Sequence, residues 1–255
     1  MAHPRKIKRY GWLPDLPDQR DLLYSVPSGA PRELPPVVDM RPRCPPVYDQ
    51  GELGSCTAQA IAGAIEFDQL RQGLTEYTPS RLFIYYNERV IEHSVDQDLG
   101  AMARDGIKAV AALGAPAEAL WPYVVDRFAE PPPERAYADA ARHRVSRYER
   151  LPRDLDHMRA CLASGYPMVF GFSVYESFEG EAVRRTGRLE MPAPDERVIG
   201  GHAVLAVGYL DAERRFIVRN SWGPGFGMDG YFTMPYDYLL ERSLSADFWT
   251  IQTVR

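Results

Sequence analysis

Three cysteines in 255 residues, Cys44, Cys56 and Cys161, are too few for a disulfide framework. Long apolar runs are missing as well: none approaches the roughly 18 residues that a membrane span needs. No apolar stretch of signal-peptide type follows the basic run Arg5-Lys6-Ile7-Lys8-Arg9. Nor is there a cationic excess. The chain has 30 Lys and Arg against 35 Asp and Glu, a net charge of -5, which gives no basic footprint for nucleic acid. The short basic run reads as a solvated tail. His3, His93, His143 and His157 show no ligand spacing with cysteines or carboxylates, so no metal and no cofactor is expected. No internal repeat is visible. These absences make the cytoplasm the default compartment, unless export uses a route the sequence does not display, and they imply neither a membrane nor a nucleic-acid partner.

Proline is plentiful, with 22 residues, and its distribution divides the chain. Residues 1–36 hold Pro4, Pro14, Pro17, Pro27, Pro31, Pro35 and Pro36, with little helical or strand periodicity. Proline fixes φ and removes a donor, so the stretch is extended or irregular. It is too apolar for a free tail, given Tyr10, Trp12, Leu13, Leu16, Leu22, Leu23 and Tyr24. It is expected to lie on the folded body. Residues 37–255 are read as that body, with 45% hydrophobic and 25% charged residues in the whole chain, ordinary for a globular protein.

Within the body, helices come first. Ile61, Ala64, Ile65 and Leu70 fall near helical spacing after Cys56, and Gly73 closes the run. Thr78-Pro79-Ser80 starts a second helix, and a third carries Ile107, Val110 and Leu113 up to Gly114. Pro131-Pro132-Pro133 marks a seam. Beyond it, residues 152–164 form one helix, and β-branched and aromatic runs follow at 142–148, 168–174, 202–209, 216–219, 230–234 and 248–251. The pattern predicts an α+β protein whose halves, about 49–128 and about 129–255 with 37–48, meet at a cleft.

Gln50-Gly51-Glu52-Leu53-Gly54-Ser55-Cys56 is a glycine-rich turn ending on a cysteine at a helix start. Unpaired N–H groups and the positive end of the helix dipole there favour a thiolate. Gln50 brings a side-chain amide donor near the sulfur, a fitting partner for the Cys56 backbone N–H in an oxyanion hole. His202 follows Gly200-Gly201 on a strand, and Asn220 ends the next strand, in Asn220-Ser221-Trp222-Gly223. A hairpin brings those strand ends together. His202 then faces Cys56, Asn220 orients the imidazole, and Trp222 shields their hydrogen bond from water. Each residue has a plainer reading alone: a buried small cysteine, a core histidine, an Asn capping a turn, a core tryptophan. Their joint occurrence in this order favours nucleophilic catalysis.

These motifs resemble the papain family of cysteine peptidases, whose signature places His and Asn far downstream of a Gly-Ser-Cys turn. The matching residues are Gln50-Gly51, Gly54-Ser55-Cys56, Gly201-His202-Ala203-Val204 and Asn220-Ser221-Trp222-Gly223, followed by Gly225-Phe226-Gly227 and Gly230-Tyr231. The resemblance spans roughly 37–255. It implies a two-lobe fold, a helical lobe and a β-barrel-like antiparallel lobe with the site in the cleft between them. It implies Cys56 as nucleophile, His202 as acid/base, Asn220 as orienting residue and Gln50 as oxyanion donor. Leu53 stands where the family usually has a disulfide cysteine and Thr57 where it usually has tryptophan. The family's long helical pro-region is missing, as in its compact bacterial-type branch.

The implied activity is hydrolysis of a peptide or protein substrate through a Cys56 acyl-enzyme. An amidase, transpeptidase or deconjugating enzyme would use the same triad, and a non-catalytic binding module would keep only the fold. Gly100, Ala101, Met102, Gly200, Gly201 and Trp222 are the candidate substrate-binding residues. Their small or apolar character favours an apolar side chain two residues before the cut. Cys56 and His202 are expected to form a thiolate–imidazolium pair. Cys161 is expected in the core, Cys44 is unassigned, and a bond between them remains open. A monomer is expected. Tyr10–Tyr24 is expected to pack on or beside the cleft, anchored by Trp12, Leu13 and Leu16. The other reading places it on an apolar patch at the back.

Overall fold

The structure is a computed structural model that describes residues 10–26, 33–75 and 77–254. The basic run at 5–9 lies outside them. In chain order the strands are β1 (Trp12–Leu13), β2 (Val37–Asp39), β3 (Ala101–Met102), β4 (Val145–Arg150), β5 (Met168–Tyr175), β6 (Val198–Leu210), β7 (Arg215–Arg219), β8 (Tyr231–Pro235) and β9 (Ser245–Val254). The helices are α1 (Cys56–Gln72), α2 (Arg81–Ile91), α3 (Ala103–Ala112), α4 (Glu134–Ala140), α5 (Leu155–Ala163), α6 (Glu181–Thr186) and α7 (Tyr236–Leu240).

The caps explain the main helix boundaries. Gly73 ends α1 in the left-handed conformation, at φ 66°. The Ser80 side chain accepts the Phe83 N–H at the start of α2, and Asp154 accepts the His157 N–H at the start of α5. Helix α1 is buried on nearly every side between the other helices and the sheet, and among its buried polar side chains Gln59 pairs with Ser55, Glu66 with Thr78 and Asp68 with Arg71.

The strands run in the order β4-β9-β5-β6-β7-β8, all antiparallel neighbours, with β2 added to β6. Among the described residues β4 and β8 do not pair, so the barrel-like lobe is an open, curled sheet. Strand β6 starts earlier than its sequence suggests, at Val198, and so carries Gly200, Gly201 and His202 in one extended run.

The N-terminal segment is fastened across this body as a strap. Strand β1 pairs with β3 in parallel, Trp12 opposite Ala101 and Leu13 opposite Met102. Further on, the Arg150 N–H donates to the Leu22 carbonyl (2.7 Å) and the Tyr24 N–H to the Arg150 carbonyl (2.8 Å). Trp12 is an anchor, buried to 8% exposure, but Leu13 and Leu16 are not: they stand 38% and 69% exposed. The buried strap aromatics are Tyr10, Trp12 and Tyr24. Within β1 alternate side chains face alternate sides, so Leu13 turns outward where Trp12 turns in.

Polar contacts hold the strap between its aromatics. Asp15 accepts the Arg104 N–H in the first turn of α3 (3.0 Å) and the Trp249 indole N–H (2.8 Å). It therefore caps a helix from another part of the chain. Asp21 takes Arg104 (2.6 Å) and Arg150 (2.9 Å). Asp15→Ala removes a cap and leaves a buried indole N–H unpaired. A loss of about 2 kcal/mol is expected, roughly 4–8 °C in Tm for a chain of this size, measured by calorimetry. An unchanged Tm would show that the strap adds nothing to global stability.

Candidate active site

Cys56 is the first residue of α1 and fully buried. The backbone N–H groups of Ala203, Gly11 and Thr57 face its sulfur. Ala203 comes from β6, next to His202, so the sheet brings the histidine strand against the start of the helix. His202 is also fully buried, and its Nε2 lies 2.8 Å from the Asn220 Oδ1. That oxygen also accepts the Ser221 N–H (2.8 Å), which fixes which end of the amide faces the ring. Nε2 therefore carries the hydrogen, and Nδ1 keeps its lone pair with no hydrogen-bond partner. Trp222 lies 5.2 Å from the imidazole, ring centre to ring centre, and covers it.

Gln50 is buried in the same turn. Its Oε1 accepts the Ser221 hydroxyl (2.6 Å), so its Nε2 is the donor end, and one Nε2 hydrogen goes to the Leu53 carbonyl (2.8 Å). The second hydrogen remains for an oxyanion. Thus Cys56, Gln50, His202 and Asn220 meet in one place. Cys44 and Cys161 do not join them, and all three cysteines are free.

The turn around Cys56 is held without a disulfide. The Gly54 N–H is shared between both oxygens of Asp98 (3.1 Å each), and the Tyr85 hydroxyl donates to the same carboxylate (2.5 Å). The Tyr85 oxygen in turn accepts the Gly100 N–H (3.2 Å). Asp98 and Tyr85 thereby tie the nucleophile turn to Gly100, close to where Leu53 replaces the family's cysteine. Sequence spacing gave no sign of Asp98, one carboxylate among many. With the strap displaced, Asp98→Ala is expected to lower kcat about tenfold, ~1.4 kcal/mol, with KM little moved. Steady-state kinetics would show an unchanged kcat if the turn holds its own shape.

Every candidate substrate-binding residue of the sequence lies against the strap. The Ala101 N–H donates to the Gly11 carbonyl (2.7 Å), and Met102 pairs with Leu13. Gly100, at φ 84°, passes so near that a Cβ on it would lie 2.1 Å from the Gly11 oxygen. A Cβ on Gly200 would meet Tyr10 at 2.5 Å, and one on Gly201 would meet Trp12 at 2.7 Å. Tyr10 itself lies 6.1 Å from His202 and 6.4 Å from Trp222. Nothing in the sequence spacing marks Tyr10 and Gly11 as cleft anchors.

Burial opposes the expected ion pair. Burial pushes the Cys56 thiol up to about 12, against the pull of the three N–H groups. Burial pushes His202 down to about 4, against the Asn220 hydrogen bond. Under cover, burial therefore favours a neutral thiol and a neutral imidazole, where the sequence suggests an ion pair. The helix terminus favours a thiolate only where water or a cation completes its solvation.

The family model for papain family cysteine proteases matches residues 34–241, and the chain belongs to that family. Xylellain, a cysteine protease from Xylella fastidiosa, has the same fold at a TM-score of 0.92 and 45% identity, with 100% of both chains covered. An uncharacterized peptidase C1-like protein of Acanthamoeba polyphaga mimivirus is 40% identical over 97% of this chain and 88% of its own length. Cathepsin S of Mus musculus is 27% identical over 92% of this chain and 68% of its own. Digestive procathepsin L 3 of Tenebrio molitor shares the fold at a TM-score of 0.69 and 20% identity, covering 89% of this chain and 73% of that one. The chain is accordingly a cysteine-type peptidase, a hydrolase.

Proposed function

We propose that the full chain is the latent form of this peptidase, with residues 1–36 as its cover and 37–255 as its catalytic body. Cys56 is the nucleophile, His202 moves the proton, Asn220 holds the imidazole, and Gln50 with the Cys56 N–H receives the oxyanion. Attack gives a thioester and releases the amine, which takes its proton from His202. Water then attacks the thioester with His202 as base, and the acid leaves.

The observation that carries the latent reading is the orientation of Gly11. Its N–H faces the Cys56 sulfur, and its carbonyl is bonded to the Ala101 N–H. The strap thus fills the cleft while offering the sulfur a donor in place of a carbonyl carbon, so it blocks without being cut. The substrate is a peptide or protein segment, and the acting unit is a monomer. The test is the rate at which a thiol-directed peptide probe modifies Cys56. Rapid modification of the unaltered full chain, equal to that of a strap-displaced variant, would refute latency.

A further inference from the structure

The indole of Trp12 fills a cavity beside Cys56 whose construction is unusual for a sheet. The register sets Gly171 of β5 directly opposite Ala203 of β6 and Ala246 of β9. Gly201 lies two residues along β6 on the same face as Ala203. The floor is therefore a row of the smallest side chains across three strands. A Cβ on Gly171 would lie 1.9 Å from the indole Cε2. No group larger than hydrogen at this position leaves room for two fused rings.

The base of the cavity is polar. Between the Val169–Trp249 and Gly171–Ala246 pairs the register slips, so Asp247 and Phe248 together stand opposite Phe170. Such a bulge re-aims a side chain. Asp247 also takes a left-handed φ of 61°, a conformation that costs a non-glycine residue free energy. The result is a buried carboxylate whose Oδ2 accepts the Trp12 indole N–H at 3.1 Å. Backbone strain and a bulge are both spent on placing one acceptor.

We propose that this cavity, once the strap has left, is a substrate subsite that selects a large flat aromatic bearing an N–H donor, tryptophan above all, and that Asp247 determines that selection. The proposal rests on the peptidase reading above. It concerns the side chain two residues before the cut, since the cavity adjoins Ala101 and Gly201. Phenylalanine fits the floor but leaves the buried Asp247 Oδ2 without the indole donor, and sites built around a hydrogen bond reject analogues lacking it strongly. Arginine brings a donor but also a charge. Arg150 already holds the Asp247 Oδ1 at 3.3 Å, and Arg104 lies in the same network through Asp15 and Asp21, so a third guanidinium meets like charge.

The experiment uses the full-length chain carrying Gly11→Ala, which displaces the strap. Four irreversible thiol-directed peptide probes differ only in having Trp, Phe, Arg or Ala two residues before the reactive carbonyl. Rates of Cys56 modification are read by mass spectrometry. Any residual strap closure slows all four alike, so the ratios report the cavity. Trp is expected to exceed Phe at least about tenfold. Asp247→Leu should bring that ratio near one. Gly171→Ala should lower Trp and Phe together against Ala. Phe or Arg matching Trp, or a Trp preference that survives Asp247→Leu, overturns the proposal while leaving the peptidase reading intact. Modification by none of the four sinks that reading, and the proposal with it.

Discussion

Cys56→Ala is expected to abolish peptide hydrolysis while leaving the fold in place. The sulfur packs against Trp12 and Ala203 in a small cluster and makes no disulfide, so its loss removes little packing. The chemistry has no substitute nucleophile: Ser55, the neighbouring hydroxyl, is already bonded to Tyr123 (2.6 Å) and accepts from Gln59 (3.1 Å). A fall of at least about 10⁴-fold in kcat/KM is expected. His202→Ala should approach it, because it removes the group that moves both protons. Asn220→Ala should be milder, since Asn220 orients the ring and transfers nothing. The three losses should not add, because the residues act as one unit. Hydrolysis surviving in purified Cys56→Ala would end the assignment.

Gly11→Ala should expose the site. A Cβ on Gly11 would lie 1.7 Å from the Gly54 oxygen, a backbone atom of the nucleophile turn, so the strap has to lift. Alkylation of Cys56 at pH 7 is expected to rise on the order of 100-fold, equivalent to ~2.7 kcal/mol of lost closure. Readmitted water should also lower the thiol pKa and raise that of His202, so the alkylation midpoint should fall below the ordinary cysteine value near 8.5. The covered protein should react only as fast as the strap opens.

Acid alone should not open the strap. His202 is held near 4 under cover against 6.5 free, so the closed state loses stability as pH falls below 6.5. Asp247 is pushed up to about 6 by burial and by Asp15, so closure gains from its protonation as pH falls through 6 toward 3.8. Burial raises Asp15 in the same direction. The opposing linkages largely offset one another between pH 6.5 and 4. The ratio of alkylation rates, Gly11→Ala over the unaltered chain, should therefore stay within about tenfold from pH 7 to 5. A collapse of that ratio in acid would show that His202 alone governs opening.

Much of this was legible in the chain because the signals were local. The glycine turn before Cys56 and the strand-ending Asn220 each mark a backbone event within a few residues. Gly73 and Gly114 stop helices by the same kind of rule. The helices α4, α6 and α7 were not read, being five to seven residues long and dependent on packing. Leu16 shows the opposite error: an apolar residue in an apolar segment that nevertheless faces water, at 69% exposure. Asp247 had a usable signal, an acidic residue inside the run Ser245-Ala246-Asp247-Phe248-Trp249 that otherwise reads as buried strand. Its meaning depends on a bulge, and a bulge is set by the partner strand.

The strap's ionic fastening bears on how long the working enzyme lasts. The hydrogen-bond partners described for the Arg104 guanidinium, Asp21 and the Leu16 carbonyl, both belong to the strap, as does Asp15, the cap of α3. Lifting the strap therefore strips a helix of its cap, parts Arg104 from its partners and wets Trp249. On the latent reading, the opened molecule is expected to be the more perishable one, with a finite career that starts when its cover comes off. Turnover per molecule would then be limited by the enzyme's own decay, with no inhibitor required. At a fixed temperature, Gly11→Ala should lose its folded signal with a shorter half-life than the unaltered chain, and equal half-lives would remove the basis for such a clock.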